Sequence, residues 1–191
     1  MIIIIQWTKY VGEKFMPKKY ELIKTPNRGS KYTVSIWDDI ENYEDYDELL
    51  KQLSNIGKDD ELKLYVSSPG GRCDIGFMII DRIQALECQV DIIVPYPTYS
   101  MGALMSLCGN SLTVAPGSFL MFHDYSSGNA RSKGNEQFKH TEAYIEVFRY
   151  RFNKICQPFL SKKECADVLD GKDLYIKWND SELKNRIKRH F

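Results

Sequence analysis

Ser100 is the residue best placed to do chemistry. It lies in Tyr99-Ser100-Met101-Gly102-Ala103, after the apolar run Val90 to Val94 and a bend marked by Pro95 and Pro97. A serine between a strand and a helix commonly caps the helix, accepting a bond from a first-turn amide. The same position suits a nucleophile. A helix N-terminus favours the negative charge that develops on Oγ, and the Met101 amide is placed to help hold an oxyanion. Gly102 and Ala103 leave the approach unobstructed. The logic is that of a nucleophile elbow, although the full GxSxG pattern is absent.

A serine nucleophile needs a base, and the chain has three histidines. His190 is next to the C-terminus, where mobility is expected. His140 falls beside the apolar stripe of a long helical segment and is expected at a solvated edge. His123 ends the apolar strand Phe119-Leu120-Met121-Phe122, just before a polar loop. A strand end beside a cleft is where a base belongs. The base in turn needs an orienting carboxylate. Asp124 adjoins His123, but neighbouring strand residues point to opposite faces. Asp167, Asp170, Asp173 and Asp180 come later. Asp173 opens the apolar pair Leu174-Tyr175, where a carboxylate can be held rigidly, and Asp170 stays open as an alternative. Ser68-Pro69-Gly70-Gly71 is the fourth element. Its glycines allow a backbone to approach a ligand closely, and their amides could complete an oxyanion hole with Met101. The phosphate-loop pattern GxxxxGK[ST] and the Rossmann glycine fingerprint are both missing.

The elements that must position these residues alternate along the chain. Tyr32 to Trp37, Leu62 to Val66, Val90 to Val94, Leu112 to Ala115 and Phe119 to Phe122 read as strands. Val90 to Val94 is a continuous apolar run, typical of a strand covered on both faces. Asp45 to Leu53, the stretch carrying Ile75, Ile79, Ile83 and Leu86, Met101 to Cys108, and about Glu136 to Cys156 read as helices. The last carries Phe138, Ile145, Phe148, Phe152 and Ile155 along one stripe. Ser161 with Glu164 forms a capping box. This order predicts an α/β fold with parallel pairing. Residues 1–30 read as an N-terminal arm with some strand, and 31–191 as a single domain.

Composition narrows the function classes. The chain has 191 residues, 43% hydrophobic, with a formal net charge of zero. That argues against a nucleic-acid binder, which carries a basic excess or stripe. The basic residues from Lys184 to Arg189 are expected to be a solvated helix end. Five cysteines, Cys73, Cys88, Cys108, Cys156 and Cys165, form no CxxC. They read as core thiols in a reducing cytoplasm rather than a disulfide framework or zinc site. Ile2-Ile3-Ile4-Ile5 is far too short to span a bilayer. It follows no basic region and precedes no cleavage site, so it does not read as a signal peptide.

Together Ser68-Pro69-Gly70-Gly71, Ser100-Met101-Gly102-Ala103, Met121-Phe122-His123 and Asp173-Leu174-Tyr175-Ile176 resemble the Clp protease proteolytic subunit (ClpP) family and its phage-encoded relatives. The resemblance covers roughly residues 32–180. It implies the ClpP/crotonase-like spiral of ββα units with a protruding handle helix. It also implies a serine endopeptidase whose catalytic residues are Ser100, His123 and Asp173. Gly71 and Met101 would supply the oxyanion amides. Gly70, Tyr125, Ser126 and Ser127 would bind substrate, and the stretch from Tyr125 to Gly134 would lie beside it as a strand. No metal or organic cofactor is implied. The implied partners are a peptide or unfolded-protein substrate, further copies in a heptamer or tetradecamer, and an AAA+ unfoldase or a phage or host protein. The implied place is the cytoplasm, that of the host for a phage protein. Neither nucleic acid nor membrane is expected.

Three positions depart from the family pattern. Tyr99 stands where a small residue is usual and is expected to reshape the pocket. Asp124-Tyr125 replaces Gln-Pro, and the N-terminal arm does not match the axial-loop segment. They motivate an alternative reading, a phage head-maturation protease or a structural or regulatory relative. A crotonase-type acyl-CoA enzyme is a third reading, disfavoured because such sites use carboxylates rather than a Ser/His pair.

Overall fold

The computed structural model describes residues 3–4, 19–25, 29–126 and 134–191. The main sheet runs in the order β1 (Ile3–Ile4), β2 (Tyr20–Thr25), β3 (Lys31–Ile36), β4 (Glu61–Val66), β5 (Gln89–Val94) and β7 (Ser111–Val114). A smaller sheet joins β6 (Thr98–Tyr99), β8 (Phe119–Phe122) and β9 (Leu174–Lys177). The helices are α1 (Asp47–Leu53), α2 (Cys73–Gln84), α3 (Met101–Met105), α4 (Gly134–Cys156), α5 (Lys162–Leu169) and α6 (Leu183–His190). This is the mixed α/β architecture expected, in which a spiral of strand–helix steps walks along one sheet.

Alternation decides which face of the sheet is the core. Tyr32, Val34 and Ile36 on β3 point inward, as do Leu62, Leu64 and Val66 on β4. The parallel register puts Tyr32 beside Leu62 and Leu62 beside Val90, so the apolar residues form rows across strands. Helices α1 and α2 close this face with Leu49, Leu50, Leu53, Ile75, Ile79 and Ile83. The apolar run on β5 is covered on one face rather than two. Val90, Ile92 and Val94 are buried while Ile93 is half-buried.

Pairing is parallel from β3 to β4, β5 and β7, and between β6 and β8. It is antiparallel where β1, β2 and β3 meet and between β8 and β9, which corrects the expectation of parallel pairing. The reason at β2 is chain length. Residues 26–30 alone link it to β3, far fewer than a parallel crossover requires. β2 lies in the segment read as an arm, yet it pairs with β3 along its whole length. Ile2 and Ile5 lie outside the described residues.

Helix α3 stops at Met105, short of the expected Cys108. The chain must turn there to enter β7. Asn110 fixes that turn, its amide donating to Val90 O and its side-chain oxygen accepting from Val90 N. A side chain at Gly109 would meet Val90 O at 2.8 Å. The expected capping box opens α5. Glu164 accepts from Ser161 N, and Ser161 Oγ accepts from Glu164 N.

The C-terminal helix is docked through Arg186 and His190, while Lys184, Lys188 and Arg189 are exposed as expected. Arg186 is buried and donates two bonds to Glu164 and one to Phe159 O. That guanidinium holds the Glu164 carboxyl down to about 2. Arg189 donates to Pro158 O and Phe159 O. His190, expected to be mobile, packs its ring edge-on against Phe159 and bonds Leu107 O at 3.0 Å. Burial lowers its pKa.

Candidate active site

The site lies beyond the carboxyl ends of β4 and β5, where an open parallel sheet leaves a crevice. After β4 the chain turns through Ser68-Pro69-Gly70-Gly71. Ser68 is fully buried and pins this turn. Its hydroxyl donates to Asp38 O at 2.6 Å and accepts from Gly70 N at 3.1 Å. Gly70 O accepts from Ile40 N, and Arg72 N donates to Ile40 O. Both polar main-chain groups of Gly70 are thus occupied. The Gly71 amide has no acceptor among the described residues.

After β5 the chain bends through Pro95 and Pro97 into β6 and reaches Ser100. Ser100 has φ 56° and ψ −125°, the single positive φ outside glycine among the described residues. Such a conformation costs on the order of 1–3 kcal/mol and survives where surroundings over-determine it. Here they do. Tyr99 N donates to Ser68 O at 2.9 Å, Ser100 N to Met121 O at 2.8 Å, and Leu104 N to Ser100 O at 3.1 Å. Gly70 presses on the elbow from outside. A Cβ there would lie 2.6 Å from Ser100 Cβ, and its φ of 100° already favours glycine. Gly102 lets α3 approach the Ser68 turn, since a Cβ there would lie 2.8 Å from Ser68 O. Ser100 makes no side-chain cap bond, so the commonest structural use of such a serine is absent. The Met101 amide, like that of Gly71, has no acceptor among the described residues.

One cavity of about 40 Å³ gathers most of the expected residues. Ser100, Met101, Gly71, His123, Tyr125 and Ser126 face it, and Asp124 lies at its rim. Cys73, Leu104 and Phe148 form its apolar wall, and sequence reading had left them as core. Phe148 was legible as part of a helix stripe. Which end of that stripe meets the cavity depends on how α4 is seated. Gly70 does not line the cavity. Ser127 and the rest of the expected substrate strand through Lys133 lie outside the described residues, as does the His140 side chain. A larger groove of about 390 Å³ between α1 and α2 contains none of the expected site residues.

His123 and Asp173 are related by the register of β8 and β9. Phe119 pairs with Lys177, Leu120 with Ile176, Met121 with Tyr175 and Phe122 with Leu174. The ladder ends there, with His123 the next residue after β8 and Asp173 the residue just before β9. Asp173 is exposed and outside the cavity lining, and His123 is half-buried. Among the described residues, no hydrogen bond joins Ser100 to His123 or His123 to Asp173. Asp170 caps the C-terminus of α5 and falls outside this register. Asp124 is occupied by its neighbour's amide, accepting from Tyr125 N at 2.9 Å. Asp167 is paired with Lys163 and Lys172.

Tyr99 does not reshape the pocket as expected. Its ring packs edge-on against Phe119 at 5.3 Å, and Phe119 meets Tyr175 at 5.6 Å. Successive residues on β6 face opposite ways, and the Tyr99 ring falls outside the cavity that Ser100 faces.

A strained serine before a helix, two unengaged amides and a histidine meet on one cavity. The model of the Clp protease family matches residues 29–166. The chain belongs to the Clp protease family. It is 37% identical over 79 residues to ATP-dependent Clp protease proteolytic subunit 1 of Chlamydia pneumoniae. It is 33% identical over 79 residues to the subunit of the same name in Chlamydia abortus. Each match covers 40% of this chain and 40% of the relative. No helix among the described residues is long and apolar enough to cross a membrane.

Proposed function

We propose that this chain is a serine endopeptidase that cleaves peptides or unfolded proteins with Ser100, His123 and Asp173. The observation that carries the reading is the strained Ser100, held on a cavity shared with His123 and the unengaged amides of Gly71 and Met101. In the reaction His123 takes the proton from Ser100 Oγ as that oxygen bonds to the substrate carbonyl carbon. The carbonyl oxygen becomes an oxyanion and accepts from the Gly71 and Met101 amides. His123 returns the proton to the leaving amine as the C–N bond breaks. Water, activated by the same imidazole, then releases the acyl group from Ser100. Asp173 would hold the imidazole tautomer and offset its positive charge.

Membership of the family supports assembly into a ring of seven, stacked in pairs. In that reading subunit packing draws the three side chains into line in the cytoplasm. An unfoldase or a phage or host protein would supply substrate. The same open geometry gives the regulatory or head-maturation reading its support, because a site that needs a partner to close can serve as a switch. The deciding experiment uses the purified assembly. Ser100→Ala is expected to abolish hydrolysis of unfolded casein and labelling by a fluorophosphonate. Full retention of either in a protease-free preparation overturns the assignment.

A further inference from the structure

The Ser-Pro-Gly-Gly turn lies along a rail, and the rail is gripped by residues that line no part of the cavity. Beyond β3 the chain runs on through Asp38, Asp39 and Ile40 beside residues 67–72. Ser67 N donates to Ile36 O at 2.8 Å, and the Ser68 hydroxyl donates to Asp38 O at 2.6 Å. Ile40 N donates to Gly70 O and Arg72 N to Ile40 O, each at 2.7 Å. These two bonds bracket Gly71 in an isolated parallel bridge with Ile40. The fit is close. A Cβ on Gly71 would run into the main-chain N, C and O of Ile40. The Gly71 amide therefore takes its position from residues 38–40.

Those residues are held in turn by the chain entering β2. The Lys19 ammonium donates to both neighbouring carboxylates, to Asp38 Oδ2 at 2.9 Å and to Asp39 Oδ1. It holds the Asp39 carboxyl below its ordinary range. Asp39 N donates to Asp38 Oδ1 at 2.8 Å, which ties the two acids to each other. One residue on, the Tyr20 ring stacks on Tyr46 at 6.1 Å. Tyr46 is fully buried, and its hydroxyl donates to Asp39 O at 3.3 Å. Carboxylates on successive residues repel, and Lys19 sets a cation between them. The Lys19 side chain is 17% exposed, the two carboxylates 38% and 34%. Ion pairs this open to water contribute little to stability. What the clamp fixes is position, and an oxyanion donor works only in position. A misplacement of about 1 Å can cost about 100-fold in rate.

We propose that Lys19, with Asp38 and Asp39, forms a positioning clamp that holds the Gly71 amide where the oxyanion develops. The inference rests on the peptidase reading above and adds to it residues that do not touch substrate.

The test uses the full-length protein and fluorescein-labelled unfolded casein. Lys19→Met keeps an aliphatic stem and removes the charge. It is expected to lower kcat, counted per fluorophosphonate-labelled site, by about tenfold while KM stays within about twofold. An interaction that counts mainly in the transition state gives that split. Affinity for a leucyl-leucyl peptide aldehyde, whose adduct with a serine carries the same oxyanion, is expected to fall with kcat. Lys19→Arg is expected to restore both. A merely structural lysine would lower Tm and the labelled fraction but leave kcat per labelled site alone. Asp39→Asn is expected to act in the same direction with a smaller loss. Unchanged kcat in folded Lys19→Met overturns the proposal, and Asp39→Asn decides by the same reading where Lys19→Met does not fold. Amide hydrogen exchange at Ile40 and Arg72 needs no substrate. It is expected to quicken at least about fivefold in Lys19→Met and to return to the wild-type rate in Lys19→Arg. A wild type that neither degrades casein nor takes up fluorophosphonate fails as a peptidase, and exchange then decides the clamp by itself. Equal exchange in wild type and Lys19→Met overturns it.

Discussion

Ser100 is held in a backbone conformation that serine does not choose, and the cost is borne by neighbours with no reactive atoms. Gly70 is the clearest of them. Its backbone lies so close that a methyl group would sit 2.6 Å from Ser100 Cβ. Gly70→Ala is therefore expected to destabilise the fold by roughly 1–3 kcal/mol, and to reduce fluorophosphonate labelling of the molecules that remain folded. Thermal melts and a labelling time course report the two effects separately. The third member of the triad is a second question for single residues. Asp173 stands just before β9, whose first residue pairs with the last of β8, whereas Asp170 is at a helix cap. Asp173→Asn is expected to lower kcat by about 10⁴-fold, as loss of the orienting carboxylate does in serine proteases generally. Asp170→Asn is expected to stay within about threefold of wild type, a small multiple of the uncertainty in such rates. The reverse pattern would move the carboxylate role to Asp170.

Helix α6 joins the nucleophile helix to the C-terminus. Its last turn reaches back through His190 to Leu107 O, just beyond α3, while Arg186 and Arg189 grip the turn before α5. His190 is held neutral by burial, with its pKa below the usual 6.5. Its Nδ1 has no partner among the described residues. The sign of the pH effect follows from linkage. A histidine with a depressed native pKa stabilises the fold fully above about 6.5, where the unfolded chain is also neutral. That contribution is lost as pH falls through the native value, because the unfolded state takes up the proton first. The Tm of wild type is expected to drop between pH 7.5 and pH 5.5 by more than that of His190→Gln. Parallel curves for the two proteins would show that the docked imidazole contributes nothing to acid sensitivity.

At the level of the whole chain, several large apolar side chains meet solvent. Val147 and Tyr150 stand out from α4, and Tyr175 and Trp178 from the small sheet. Grouped exposure of this kind marks surfaces that meet another protein. Native mass measurement is expected to find seven or fourteen copies of the 22.2 kDa chain. Val147→Glu with Tyr150→Glu is expected to dissociate stacked rings and to reduce hydrolysis with them. A fully active monomer would remove the need for assembly in the mechanism.

Local chemistry made much of this molecule readable before any coordinates. Alternation marked β3 and β4, a three- to four-residue period marked α2 and α4, and Ser161 with Glu164 marked the start of α5, because each signal is a property of neighbours in the chain. The Ser-Pro-Gly-Gly turn and the serine at a helix start were visible for the same reason. Long-range contacts were not. Whether a strand pairs parallel or antiparallel, which way the Tyr99 ring turns, and whether a basic tail is solvated or docked depend on surfaces brought together from distant segments. The cavity wall to which Cys73, Leu104, Tyr125 and Phe148 contribute belongs to that second kind. Its residues come from four parts of the chain, and only their packing gives the cavity a volume. The identities along the chain pointed to a nucleophile, whereas the folded arrangement brings Gly71, Met101 and His123 onto one cavity with it.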